Sequence, residues 1–428
     1  GITPKIGKDF PAFLIKTAIE YGGIVRLDLG LRQLYFINQP EYLKRVLVEN
    51  TQNYRKGYDQ VKPLFGDGLL TSDGETWFRQ RRLMQPAFHH QHLAEFATTM
   101  VSFTAQMVER WQSIKKSGQP IDVAAEMMGL TQRIILKTMF SADANANLAV
   151  ISRAFDIALN HFNMAMFSPL SQITWLPTPE NRRYHWALRT LDEAVYAMIN
   201  DRRSHHREES DLLSMLMNAR DADTGEGMSN KQIRDEIMTI FLAGHETTAT
   251  TLSWAWHLLA QHPDVRTKLD EELTSVLGTR TPTVEDLPNL VYSRMVIDES
   301  LRMFPPAWMF ARVAVADDDF GDFTLPAGAM LLVSPYVTHH LPSLWPDPEQ
   351  FNPERFRPGA LTSRHKYAYL PFSGGPRVCI GNSFALMEAT LILAMVAQQY
   401  HPTTAPGHTV RPQTRATLRP FPGVWMTL

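Results

Sequence analysis

The chain has a single cysteine among 428 residues. It lies in Phe372-Ser373-Gly374-Gly375-Pro376-Arg377-Val378-Cys379-Ile380-Gly381. A lone cysteine cannot close an intramolecular disulfide, which leaves packing, nucleophilic attack or metal ligation. The glycines and the proline around it predict a tight loop, not a strand or helix. Glycines let the backbone pass close to a flat partner and leave amide N–H groups free to point at the sulfur. Arg377 adds positive charge that favours a thiolate. From Asn382 the pattern turns helical, so the sulfur sits near a helix N-terminus, which also favours an anion. Of the three roles, ligation through an ionised sulfur fits these surroundings best.

Composition narrows the rest. Hydrophobic content of 44% and charged content of 20% are globular values. A net charge of −2 argues against a nucleic-acid partner. Apolar runs such as 237–244 are far short of the ~20 residues needed for a membrane span. One cysteine suits a reducing compartment. A cytoplasmic monomer is expected; residue 1 is Gly, not Met, which leaves a removed N-terminal anchor open.

Periodicity predicts a mainly α chain with a smaller β region, the β-rich parts being about 24–37, 311–333 and 410–428. Helices are expected over 10–21, 40–49, 93–115, 121–139, 147–165, 180–206 and 210–219. Residues 24–29 and 34–37 read as a hairpin around Gly30. Residues 55–74 read as loop. Gly66-Asp67-Gly68 begins like a dinucleotide loop, but Thr71 stands where the third glycine belongs. Asp221-Ala222-Asp223-Thr224-Gly225 lacks the later glycine and glutamate of a calcium loop and reads as a linker. Helices follow from Pro263 to Gly278 and from Ser293 to Phe304, the second stopped by Pro305-Pro306. Short strands are expected at 312–315, 320–325 and 330–333 with turns at Gly321 and Pro326-Ala327-Gly328, an irregular stretch at 341–360, a helix from 382 to about 399 and a hairpin over 410–428. His339-His340 has no further ligands at metal-binding spacing.

Three polar features stand out. Ser229-x-x-Gln232 is a capping box. It opens a helix that runs to His262-Pro263, about 50 Å long. Its middle, Ala243-Gly244-His245-Glu246-Thr247-Thr248, combines a flexible glycine with back-bonding threonines, and a local distortion is expected there. An acid and hydroxyls in an apolar run need partners if buried. Trp77 and Arg81 share a helix face, as do Glu299 and Arg302.

Taken together, these motifs resemble the cytochrome P450 family. Phe372-x-x-Gly375-x-Arg377-x-Cys379-x-Gly381 is similar to its haem-binding motif, with every fixed position filled. Ala243 to Thr248 is similar to its (Ala/Gly)-Gly-x-(Asp/Glu)-Thr-(Thr/Ser) motif. Glu299-x-x-Arg302 with Pro353-Glu354-Arg355-Phe356 resembles its buried charge triad, and Trp77-x-x-x-Arg81 its haem-propionate pair. The motifs occur in the family's order over residues 77–381.

The resemblance implies one domain over 1–428, with haem b between the long central helix and the cysteine loop. It implies Cys379 as iron ligand, with Phe372, Gly375, Gly381, Ala243 and Gly244 against the cofactor. Trp77, Arg81, Arg312 and Arg377 are implied on the propionates. Thr247 and Glu246 are implied in proton delivery during dioxygen-dependent monooxygenation. Glu299, Arg302 and Arg355 are implied as structural. His245 occupies the variable position and receives no role.

The implied pocket includes Phe241, Ala243, Ala307, Trp308 and Phe421. Its apolar character suits a sizeable apolar substrate: a terpenoid or carotenoid, a fatty acid or a polyketide-like molecule. No flavin, nicotinamide or iron–sulfur motif is present, so electrons are expected from a separate ferredoxin, flavodoxin or reductase. Arg79, Arg82, Arg364 and Lys366 are the candidate docking surface. The competing readings are a peroxide-driven or dioxygen-independent haem-thiolate enzyme and a non-catalytic haem-binding protein.

Overall fold

A computed structural model describes residues 9–28, 33–141, 148–167, 173–205, 211–321, 323–360, 362 and 364–428. The fold is mostly helical with small sheets. The chain forms two compact units. One comprises Gly1–Gly57, Met100–Leu130 and Glu246–Leu428; the other comprises Tyr58–Thr99 and Thr131–His245.

The first unit is built on a five-stranded mixed sheet. Its strand order is Ile24–Asp28, Gln33–Ile37, Met330–Val333, Phe310–Ala314, Tyr54–Arg55. Gln33–Ile37 and Met330–Val333 run parallel; the other pairs are antiparallel. Side chains alternate across a strand. Thus Tyr35 and Ile37 join a core with Leu43, Leu47, Tyr367 and Leu370, while Phe36 joins a second core with Leu14, Leu27 and Val337. The first of these cores lies under the segment that leads into the cysteine loop. The expected turn around Gly30 lies outside the described residues.

Helix Asn382–Ala397 follows the loop and is buried on nearly every side. The tail forms the expected hairpin, Arg411–Thr414 with Leu418–Phe421. Beyond it, Trp425–Thr427 joins a separate sheet with Ile121–Asp122 and Thr403–Thr404.

In the second unit, Leu148–Phe167 packs along Pro179–His205, with His161 and Tyr184 stacked at 3.9 Å. Gly74–Met84 carries Trp77 and Arg81. The 55–74 stretch is not all loop: it contains a 3₁₀ turn, Asp59–Val61, and a helical turn, Lys62–Phe65.

The central helix, Asn230–Gln261, belongs partly to each unit. Its capping box is formed, Ser229 N donating to Gln232 Oε1 at 2.8 Å and Gln232 N to Ser229 Oγ at 3.2 Å. The expected mid-helix distortion is absent, and the α assignment runs unbroken through 243–248. Hydroxyls here use the second lone pair of carbonyls that still serve the ladder. Thr251 donates to Thr247 O at 2.9 Å and Thr131 to His245 O at 2.9 Å. The turn expected at Gly321 is present, while the strand expected over 320–325 has other bounds. Asp318–Asp319 and Thr324–Leu325 are two short strands paired across a turn that needs Gly321 at φ +92°. Among the described residues, no helix is long and apolar enough to cross a membrane.

Candidate active site

The cysteine loop is closed by its own backbone. Cys379 N donates to Phe372 O at 3.0 Å and Val378 N to Gly375 O at 3.1 Å, around a 3₁₀ turn at Gly375–Arg377. Gly375 has φ +67°, and a Cβ there would lie 1.8 Å from Leu47 O. Conformation and space therefore both demand glycine. Gly381 is the N-cap of the next helix, whose first turn begins with Ala385 N donating to Gly381 O at 2.9 Å. Cys379 forms no disulfide and is exposed. The loop thus holds Cys379 two residues before the N-cap of a helix, a setting that favours an anionic ligand. These features fit a haem iron bound through a thiolate.

On the central helix, Ala243 is exposed and Gly244 and Thr247 are half-buried, although most of their neighbours are buried. Glu246 is 1% exposed. Its Oε1 accepts from Arg419 Nε at 2.8 Å, lies 2.7 Å from Arg419 Nη2, and also accepts from the Thr417 hydroxyl. Its Oε2 is buried without a hydrogen-bond partner among the described residues. Two residues on, Thr248 faces Glu388 of the helix behind the cysteine loop. Burial pushes the Glu388 carboxyl up to about 8, with the Thr248 hydroxyl pulling the other way.

The structure brings Glu299, Arg302 and Arg355 together. Arg302 is fully buried and grips Glu299 with two bonds, Nε to Oε2 at 2.7 Å and Nη2 to Oε1 at 2.9 Å. Arg355 Nε stands 3.4 Å from Glu299 Oε1, an ion-pair distance without hydrogen-bond geometry. Two arginines on one carboxylate leave spare donors, and backbone carbonyls take them. Arg302 donates to His339 O at 2.9 Å and Gln350 O at 3.3 Å, and Arg355 to Asp347 O at 2.8 Å. His339 links this set to the cysteine loop. Its Nε2 accepts from Leu370 N at 2.8 Å, so Nδ1 carries the proton toward Arg302 O at 3.1 Å. Burial, then the Arg302 charge, holds His339 well below the usual histidine range.

Arg312 is 5% exposed on the five-stranded sheet; its Nη1 donates to Ala311 O at 2.8 Å and its guanidinium lies over Phe310. Arg377 is half-buried in the loop, and Trp77 and Arg81 are half-buried in the other unit. Ala307 and Phe421 are exposed. Trp308 and Phe241, also of the expected pocket, are buried. Trp308 is 1% exposed and donates to Arg415 O at 2.9 Å. Phe241 packs against Phe155 and His245.

Among the candidate docking residues, Arg79 and Arg82 share one acidic partner and Lys366 is exposed. Asp221 pairs with Arg82 at 2.7 Å and lies 3.6 Å from Arg79, while Arg364 stacks 3.8 Å over Trp345. Sequence reasoning gave no role to Arg419, Thr417 or Glu388. Only Glu388 left a trace, as an acid inside an otherwise apolar helix.

Residues 1–424 match the family described as Cytochrome P450. Cyclooctatin synthase of Streptomyces melanosporofaciens is 39% identical, over 96% of this chain and 90% of that protein. Cyclooctat-9-en-7-ol 5-monooxygenase of the same organism is 38% identical, over 94% and 87%. Pentalenene oxygenase of Streptomyces avermitilis is 35% identical, over 98% and 94%. The crystal structure of the cytochrome P450DA heme domain superposes with a TM-score of 0.91 at 26% identity, covering 100% of this chain and 94% of that one. Matched by the family model almost from end to end, and similar to relatives named as a monooxygenase and an oxygenase, the chain is a member of the cytochrome P450 family and a haem-dependent monooxygenase.

Proposed function

We propose that the protein oxygenates a terpenoid at a C–H or C=C bond, using haem b and electrons from a separate redox protein, the whole chain acting as one catalytic domain. The observation that carries this reading is the exposed residue Cys379 in a loop closed by its own backbone. Support for the substrate class comes from relatives named for pentalenene and cyclooctat-9-en-7-ol. Haem ligated by a thiolate supplies O–O bond cleavage and oxygen insertion.

The chain's own residues do the rest. Cys379 ligates the iron, and Phe372, Gly375 and Gly381 hold the loop that presents it. Arg312 and Arg377 neutralise propionates; Trp77, Arg81, Ala243 and Gly244 are included on the motif match. Thr247 positions a proton donor by its hydroxyl, and Glu246 supplies the proton through its carboxyl. Ala243, Ala307 and Phe421 present apolar surface to the substrate. Glu299, Arg302 and Arg355 stiffen the support beneath the loop.

The test is a panel of terpenes, fatty acids and macrolactones titrated into haem-loaded protein, followed by haem absorbance. Terpenes should give the shift of displaced iron-bound water; a response confined to fatty acids or macrolactones would overturn the substrate class. Cys379→Ala should lose the thiolate band of the reduced carbon monoxide complex. Its retention would overturn the ligand assignment.

A further inference from the structure

The central helix meets the tail hairpin at two points on one face. Glu246 and Trp254 are eight residues apart, close to two turns plus a fraction, so they project to the same side. Trp254 Nε1 donates to Leu418 O at 2.8 Å, and Leu418 N donates to Pro306 O at 3.0 Å. Leu418 is therefore pinned at both its carbonyl and its amide. Its neighbours Thr417 and Arg419 then fall on Glu246, and both bind the same carboxylate oxygen, Oε1. The load is one-sided, because Oε2 is buried and takes no donor among the described residues. The Arg419 side chain is 28% exposed and that of Glu246 is 2% exposed, so the pair runs from solvent to a buried carboxyl.

We propose that Arg419 and Thr417 are positioning residues for the monooxygenase reaction. They clamp Glu246 by Oε1 and leave Oε2 as the oxygen that exchanges protons beside Thr247. This rests on the reading of Glu246 as a proton-delivery group. A carboxylate that rotates freely spends less time with the correct oxygen in reach, and proton transfer demands reach before anything else. Two donors that flank the pinned Leu418 remove that rotation. Arg419 and Phe421 also share a face of their strand, which places the clamp beside an exposed aromatic side chain on the same hairpin.

The experiment is a double-mutant cycle on the haem-loaded enzyme with its reductant and a turned-over terpene. The variants are Arg419→Gln, Arg419→Lys, Thr417→Val, Glu246→Gln and Arg419→Gln/Glu246→Gln. Product formed per reductant consumed is read across pH, with the substrate dissociation constant from haem absorbance and the carboxylate infrared bands of the resting protein. Arg419→Gln should lower product per reductant roughly 10-fold or more. It should displace the pH profile, shift the Glu246 infrared band and leave substrate affinity unchanged. Arg419→Lys, which keeps the charge, should recover part of the loss. In the Glu246→Gln background the Arg419 substitution should add almost nothing, since the two act through one group.

Additive losses would overturn the clamp and make Arg419 a structural residue only, as would an unchanged pH profile in Arg419→Gln. Should Arg419→Gln not fold, Thr417→Val carries the same predictions in weaker form, and full coupling in that variant would count against the clamp. If Glu246→Gln itself keeps full coupling, the reading of Glu246 fails, which is a different result from failure of the clamp.

Discussion

Thr248 of the central helix and Glu388 of the helix behind the cysteine loop face one another inside the first unit, where the acid is 1% exposed. The pairing joins the central helix to the helix that follows the cysteine loop through a carboxyl that stays mostly protonated at neutral pH. Glu388 has its folded pKa raised from the ordinary glutamate range to about 8, chiefly by burial. Between those values the unfolded chain has lost this proton and the folded protein keeps it, so stability must fall as pH rises. The contribution is complete below the ordinary glutamate range and is lost progressively up to about pH 8. Glu388→Gln removes that slope. Thermal midpoints taken from pH 5 to pH 8 should show the variant gaining on the wild type, by a few kcal/mol at most (roughly 1.4 kcal/mol per pKa unit). Parallel curves would mean that Glu388 is not the titrating group.

Glu299→Gln and Arg302→Ala should yield little folded, haem-loaded protein. Each strands a buried charge or its donors, at a cost of about 3–5 kcal/mol. Expression yield and haem content per polypeptide measure this. Normal yield with lost turnover alone would assign the triad to chemistry instead of support.

Gly375→Ala should destabilise the cysteine loop. The left-handed backbone costs a residue with Cβ roughly 1–2 kcal/mol, and the Leu47 carbonyl must also move. Gly407 is the control: it has φ +73° with nothing within 4 Å of an added Cβ. Gly407→Ala should show the conformational part only. Haem retention during gel filtration, compared between the two variants, separates the terms; equal retention would discount the Leu47 contact.

Thr247→Ala should keep the thiolate spectrum and substrate affinity while releasing more peroxide and less product per reductant consumed. An unchanged ratio would make Thr247 a packing residue. The deficit should shrink when peroxide is the oxidant, because that reagent arrives with protons of its own.

What was legible in the sequence was whatever a few neighbouring residues decide. The cysteine loop, the capping box at Ser229 and the Glu299–Arg302 pair depend on spacings of three to ten residues, and the structure forms each of them. The clamp on Glu246 was not legible. Thr417 and Arg419 stand 171 and 173 residues away from it, and their arrival depends on the register of a tail strand. The same blindness affected Arg79 and Arg82. They read as free surface charge because Asp221, their partner, sits in a stretch that looks like a plain linker. The missing distortion in the central helix has a different cause. By sequence, threonine competes for the helix ladder, whereas here its hydroxyl shares carbonyls without displacing an amide.

The parallel pairing of Gln33–Ile37 with Met330–Val333 also sets an order of events during synthesis. The first two strands leave the ribosome long before the third exists, and until then a hydrophobic edge has no neighbour. Sheet completion is therefore a late, non-local step of the kind that folds slowly and exposes sticky intermediates. Cys379 emerges later still. Chains interrupted before the third strand should be recognised by holding chaperones, and an assembled haem pocket has to be a product of release, not of elongation.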